Sequence, residues 1–102
     1  MHNINDVRDA EWTPLFQMQI EDVFTIWNRG LVVTGRVTGA PVHVGDSVTV
    51  VDKNGMQRHA EVLGIEHYHN LIPSAEPGIA VGLLLSDVKK QDVNSGDLVI
   101  GV

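Results

Sequence analysis

The fold is decided by residues 47–66, which read SVTVVDKNGMQRHAEVLGIE. Residues 47–51 are rich in β-branched side chains, which suit a pleated strand better than a helix. Residues 52–55 end in Asn-Gly, a pair that tolerates positive φ and is typical of tight hairpin turns. Residues 57–66 then predict a long returning strand. The segment therefore predicts a β-hairpin whose turn holds the Asn-Gly pair.

Short segments rich in β-branched residues continue on both sides of this hairpin. Val, Ile and Thr make up 28 of the 102 residues, and ten glycines and four prolines divide the chain into short segments. Only residues 87–93 leave room for a helical turn. Six short strands separated by turns indicate an all-β domain, a barrel or a sandwich, and a closed barrel leaves no open edge. Besides the hairpin, strands are predicted at residues 16–20 (continued by 23–27 after a bend), 31–38, 79–85 and 98–102.

Composition bounds the domain organisation and the class of protein. Residues 1–14 are a polar, acidic N-terminal arm, and residues 15–102 are uniform in texture, which predicts a single domain. The absence of cysteine excludes a disulfide scaffold, a thiolate metal site and a cysteine nucleophile. Without a secretory signal or an apolar stretch of about 20 residues, the chain is predicted to be cytoplasmic and to have no membrane partner.

No residue pattern in the sequence indicates an enzyme. A P-loop requires a lysine after glycine, and Lys53, Lys89 and Lys90 follow other residues, so this chain alone does not hydrolyse nucleotides. None of the four serines lies in a G-x-S-x-G nucleophile elbow. We therefore predict a non-catalytic protein that uses no cofactor.

Histidine provides the one candidate metal cluster. His67 and His69 are two residues apart, so they share a face if their strand continues. With His43 or Glu66 they could bind zinc or copper, but a His-x-His pair supplies only two of the three or four ligands usual at such sites. The interpretation we favour is a pair of solvent-facing histidines at a strand end, with no metal.

Two blocks of sequence carry a family resemblance: residues 20–26, IEDVFTI, followed by Arg29 and Gly30, and residues 32–37, VVTGRV. They resemble domain 2 of elongation factor Tu and related translation GTPases. The resemblance implies a closed six-stranded antiparallel β-barrel over residues 15–102. The family's GTPase domain and third domain have no counterpart here, and the acidic arm with its own Met1 favours a stand-alone relative over an excised piece. Further blocks that match in the same order are residues 44–46, 64–66, 78–85 and 95–99.

The resemblance also implies a ligand pocket. In the family, this domain holds the 3′-terminal adenosine of aminoacyl-tRNA between apolar walls, with a glutamate against the ribose and base. The matching positions in this chain are Ile26, Asn28, Val32, Glu66 and Leu84. The competing interpretation is that the three apolar members are barrel core or rim.

Some matching positions depart from the family's pattern. Asn28 stands where the family has glycine, and asparagine is the next-best residue for positive φ. Ile79, Ala80 and His69 replace polar residues beside the aminoacyl group, so hydrogen bonds to that group are lost. Delivery of aminoacyl-tRNA is therefore not expected of this chain.

The turn at residues 27–31 is a second candidate site, because the family's loop faces ribosomal RNA. Trp27 and Leu31 replace small residues and flank Arg29 and Gly30. Such a tip is typical of an interface and can also stack on a base, unless both side chains fold back onto the barrel end.

Two functions from different classes follow. The first is binding of RNA, at a 3′ end or in ribosomal RNA, in a translation-related context. The alternative is a protein–protein interaction or homodimerisation module unrelated to translation, which the net charge of −6 favours because anionic protein and RNA repel. Convergence of Arg29, Arg36 and Arg58 on one face would support RNA, and their dispersal would support a protein partner.

Overall fold

The computed structural model describes residues 15–26 and 30–102, in which strands account for almost all regular structure. The elements in these residues are, in chain order, β1 (Gln17–Gln19), β2 (Asp22–Ile26), β3 (Gly30–Arg36), β4 (Val42–His43), β5 (Ser47–Val51), β6 (Gln57–His67), β7 (Asn70–Ile72), β8 (Ser74–Ala75), β9 (Ala80–Leu85), a 3₁₀ helix (Lys90–Asp92) and β10 (Leu98–Gly101). No helix in this part of the chain has the length and apolar character needed to cross a bilayer.

The predicted all-β class is confirmed. Each predicted strand is occupied by a strand, and the helical turn expected within residues 87–93 is the 3₁₀ helix. The short strands β4, β7 and β8 were not predicted. They have two or three residues each, too few to show a periodic pattern; β4 and β8 pair with each other, and β7 pairs with β6 in a hairpin. The predicted N-terminal arm, residues 1–14, lies outside the described residues.

The strands are joined in one antiparallel path. Its order is β1-β10-β5-β6-β9-β3-β2, with β7 paired to β6, and β4 and β8 form a separate pair. The long strand β6 belongs to both halves of the path, because its first part pairs with β5 and its second with β9 and β7. A register shift between Val62 and Gly64 accompanies the change of partner.

The expectation of a closed six-stranded barrel is met only in part. The strands β1, β10, β5 and β6 form an open half-barrel, and no continuous ladder joins β1 to β3 in the described chain. An isolated bridge joins Gln17 of β1 to Thr38, two residues past the end of β3: Gln17 N–H donates to Thr38 C=O at 2.9 Å and Thr38 N–H donates back at 2.8 Å. Besides this backbone pair, the Thr38 hydroxyl donates to Gln17 C=O at 2.8 Å, so β1 is joined to the end of β3 by local hydrogen bonds and not by a full strand pairing.

The core lies between the inward faces of these strands. Alternate residues of β3 and β9 are buried, as the period of two requires, and Val33 and Leu83 are fully enclosed. Met18 from β1 and Val62 from β6 are equally buried against them. Burial of each such side chain stabilises the fold by roughly 1.5–3 kcal/mol.

The β5–β6 hairpin turns as predicted, with one difference in its backbone. Gly55 alone takes positive φ, at +82°, whereas Asn54 does not. The Asp52 carboxylate organises the turn by accepting from Asn54 N–H at 2.8 Å and Met56 N–H at 3.0 Å. Desolvation by itself raises the pKa of Asp52, but these two amides and the Arg58 guanidinium together lower it below its ordinary value.

Candidate functional site

A groove of about 290 Å³ opens on the outward face of the sheet made by β2, β3, β9 and β6. Because side chains alternate along a strand, the residues that line it come from the face opposite the core, except for Ile65, which belongs to the core cluster. The lining residues are Phe24, Ile26, Val32, Thr34, Gly64, Ile65, Glu66, Leu71, Gly82 and Leu84.

Strand register explains why these residues meet. Two cross-strand rows of residues run across the sheet, and neighbours in a row are Cα partners. The first row consists of Phe24, Val32, Leu84 and Gly64. The second consists of Thr34, Gly82, Glu66 and Leu71. Residues more than 40 positions apart in the chain thereby become neighbours in the lining of the groove.

The two glycines give the groove its depth. A Cβ atom at Gly82 would lie 3.2 Å from Val32 Cγ1, so that side chain already covers the position. At Gly64 the nearest heavy atom to such a Cβ would be Leu84 Cβ at 3.8 Å, an ordinary contact. Gly64 therefore leaves space at the bottom of the groove, and a methyl group at this position would fill that space without strain.

Four of the five residues assigned to the pocket by resemblance line this one groove: Ile26, Val32, Glu66 and Leu84. The fifth, Asn28, lies outside the described residues. Ile26 is 40% exposed, and Val32 and Leu84 are half-buried between fully buried neighbours. The three apolar residues therefore line the groove and are not part of the barrel core. That the groove binds RNA stays a prediction.

Two large side chains of the groove were missed by the sequence analysis. Phe24 is 51% exposed and Leu71 is 80% exposed, on opposite sides of the groove. Phe24 could have been found, because it lies two residues before Ile26 in an alternating strand and so shares its face. Leu71 could not, because β7 is too short to show a periodic pattern.

The β6–β7 hairpin separates the two histidines of the candidate metal pair. The strand ends at His67, and Tyr68 and His69 form a two-residue turn with φ of +48° and +67°. The strand does not continue through His69, so the condition under which both imidazoles would share a strand face is not met. His67 Nδ1–H donates to Ala80 C=O at 2.8 Å. Within residues 15–26 and 30–102, no group of three His, Cys, Asp or Glu side chains is placed to hold a metal ion.

The candidate interface turn is only partly described. Trp27, Asn28 and Arg29 lie outside the described residues. Gly30 opens β3 with φ of +129° and is exposed. Leu31 is 2% exposed and belongs to the core cluster. The interpretation of Leu31 as an exposed interface residue is wrong, because alternation along β3 directs its side chain inward.

The described arginines do not converge on the groove. Arg36 donates to Gly78 C=O at the end of β3. Arg58 lies in the half of β6 that pairs with β5, between Asp52 at 3.4 Å and Asp92 at 3.8 Å. These two guanidinium groups are thus held at separate places by groups of the domain itself. Glu66 is the one charged side chain among the groove's lining residues.

No protein-family model matches the chain. Among solved structures, it is similar to the translation elongation factor SelB from Methanococcus maripaludis in its apo form, with 26% sequence identity over 86% of this chain and a TM-score of 0.76. This chain resembles a β-barrel domain of a translation factor. It spans 18% of the length of that SelB chain, and the family resemblance seen in the sequence is confirmed at this level.

Proposed function

We propose that this domain is a non-catalytic, cytoplasmic binding module that takes the 3′-terminal adenosine of an RNA into the groove, in a translation-related context. One observation carries the proposal. The described residues that the family resemblance assigns to an adenosine pocket come from β2, β3, β6 and β9, and they line a single groove.

The groove has suitable chemistry for one nucleoside. Its volume of about 290 Å³ is at the lower end of ligand pockets, which favours a ligand of that size. The half-exposed ring of Phe24 offers a stacking surface, and stacking on an aromatic ring contributes about 1–3 kcal/mol per base. The Glu66 carboxylate can accept hydrogen bonds from ribose hydroxyls, which are the groups that distinguish RNA from DNA.

The charge of the chain is consistent with recognition of an end and not of a duplex. At a net charge of −6, long-range attraction to phosphates does not supply the affinity. Arg36 and Arg58 are dispersed and engaged within the domain. Most of the binding therefore has to come from the groove, which accepts a single splayed nucleoside.

The test is an NMR titration of the domain with a CCA-ended oligonucleotide at low salt. We expect chemical-shift changes confined to the residues of the groove. The Glu66→Gln variant should bind about tenfold more weakly, which is the effect of losing one hydrogen bond to a charged group. Gly64→Ala, which fills the space at the bottom of the groove, should also weaken binding. Glu61→Gln is the matched control, because it makes the same change at an exposed position of β6 outside the groove. Wild-type protein that gives no shifts, or variants that bind as the wild type does, would refute the proposal.

The second candidate is a protein partner or a second copy of the chain. Two observations favour it. Phe24, Leu71 and the neighbouring Tyr68 are each more than half exposed, which leaves apolar surface at the groove. The dispersal of Arg36 and Arg58 is the outcome that the sequence analysis associated with a protein partner. Sedimentation equilibrium across a concentration series tests self-association directly. Dimerisation that Leu71→Ala abolishes, together with no response to the oligonucleotide, would favour this candidate over RNA.

The proposal includes a barrel closed between β1 and β3. Its support is the pair of hydrogen bonds between Gln17 and Thr38 and the close approach of Gly35 to β1. Closure would hold β3 rigidly, and β3 contributes Val32 and Thr34 to the groove.

A further inference from the structure

A second cavity, of about 510 Å³, adjoins the groove at the end of β2. Thr25 and Gly30 line it on one side, and the segment that leads into the 3₁₀ helix lines it on the other. Ile26 lines both this cavity and the groove. Thr25 and its partner Leu31 lie on the face of the β2–β3 pair opposite the groove, so an RNA strand that leaves the groove reaches the second cavity by passing around Ile26 at the end of β2.

Two adjacent lysines line the second cavity. Lys89 and Lys90 are both exposed. No ion pair between described residues includes either of them. The nearby acid Asp92 pairs with Arg58 at 3.8 Å. Two lysines thus line the second cavity with no carboxylate of the described chain paired to them.

We propose that Lys89 and Lys90 bind the phosphate on the 5′ side of the nucleoside held in the groove. This inference rests on the proposed function, and it names the part of the RNA that the groove does not reach. Lysine binds phosphate as a compact point charge with three donors, which suits an exposed cavity without fixed planar geometry. A phosphate contact carries no sequence information but fixes the position of the strand. The lysines would thereby set which nucleoside reaches the groove.

The arrangement also accounts for RNA binding by an acidic protein. The cation pair acts locally on one phosphate, while the overall charge of −6 disfavours duplex and other polyanions that do not present a free end.

The experiment compares two ligands that differ in the phosphate. Adenosine has none, and the dinucleotide CpA has one between its two nucleosides. Affinities are measured by NMR titration for the wild type, the double variant Lys89→Gln/Lys90→Gln, and the control Lys53→Gln in the β5–β6 turn. For CpA, the double variant should bind about fivefold more weakly, the effect of two exposed charge contacts. Its plot of log affinity against log salt should be shallower by about 0.7, the contribution of one phosphate in a single strand.

Adenosine distinguishes the two proposals. It should bind the wild type and the double variant equally, because it never reaches the lysines. If adenosine binds both but CpA keeps its wild-type affinity and salt slope in the double variant, the lysine site is wrong and the groove stands. If neither ligand binds the wild type, the proposed function fails and the lysine site fails with it. An equal loss in the Lys53→Gln control would show a general charge effect and would also overturn the site.

Discussion

Gly35 in β3 lies at the closest approach between β3 and β1, and its replacement by alanine is the most direct test of the fold. A Cβ atom there would lie inside van der Waals contact of the Gln19 carbonyl oxygen and 2.8 Å from Met18 Cγ. Gly35 is not among the glycines with positive φ, so the close approach and not the backbone conformation requires glycine. Gly35→Ala therefore has to push β1 away from β3.

The expected cost follows from what surrounds the added methyl group. Overpacking of a well-packed site costs about 1–3 kcal/mol. The Met18 side chain can adjust, but the carbonyl oxygen of Gln19 belongs to the backbone and moves only with β1. We expect a loss of stability at the upper end of this range, about 3 kcal/mol. That is a large part of the unfolding free energy of about 5–15 kcal/mol that is typical of a domain. At about 4–8 °C per kcal/mol, the melting temperature should fall by about 12–24 °C.

Urea unfolding followed by circular dichroism measures this loss, with Gly64→Ala as the matched control. Gly64 lies in a strand of the same path, and a Cβ there would meet nothing closer than 3.8 Å. Since glycine in a strand costs roughly 0.5–1 kcal/mol relative to alanine, the control should be neutral or slightly stabilised. Equal unfolding midpoints for the two variants would show that β1 does not pack against β3 as described.

Three further predictions concern the turns and the bridge between β1 and β3. Folding lowers the pKa of Asp52, so its ionised form stabilises the domain at neutral pH and that contribution is lost as the pH falls below about 4. Asp52→Asn should therefore lose less melting temperature than the wild type between pH 6 and pH 3, and equal losses would contradict this. Tyr68 and His69 both have left-handed backbone conformations, which asparagine and glycine adopt with less strain. The double variant Tyr68→Asn/His69→Gly should therefore be more stable by about 1–2 kcal/mol in urea unfolding, and no gain would argue against the turn geometry. The amides of Gln17 and Thr38 should exchange slowly in hydrogen exchange, whereas rates close to those of a free peptide would show that the bridge is open.

The accuracy of the strand predictions reflects how local their causes are. The pattern of β-branched residues and the Asn-Gly turn predict β5 and β6 because strand propensity and turn chemistry act over a few neighbouring residues. The alternation in β3 is of the same kind, since successive side chains point to opposite faces whatever the partner strand. The short strands β4 and β8 lack such a signal, because two residues form a strand only when a partner is brought to them.

Part of the candidate site could be predicted because the family resemblance indicated which residues meet in the tertiary structure. It assigned Ile26, Val32 and Leu84 to a pocket, but periodicity alone did not distinguish the groove face from the core face. Burial decides the point, because Val33 and Leu83 take the inward positions and their neighbours face outward. Leu71 was missed because β7 is too short to show a periodic pattern, and its place in the groove is set by pairing with Glu66.

The amino-acid sequence by itself determined that this chain is an all-β domain without a P-loop, with an acidic charge and with strands of known alternation. Only the tertiary structure decided which faces meet, where glycine leaves a groove open, that Leu31 is buried, and that Lys89 and Lys90 stand beside Ile26. The physical reason is the range of the interactions. Propensity, alternation and turn chemistry act between near neighbours in the chain, whereas strand register joins residues dozens of positions apart and sets every contact of the site.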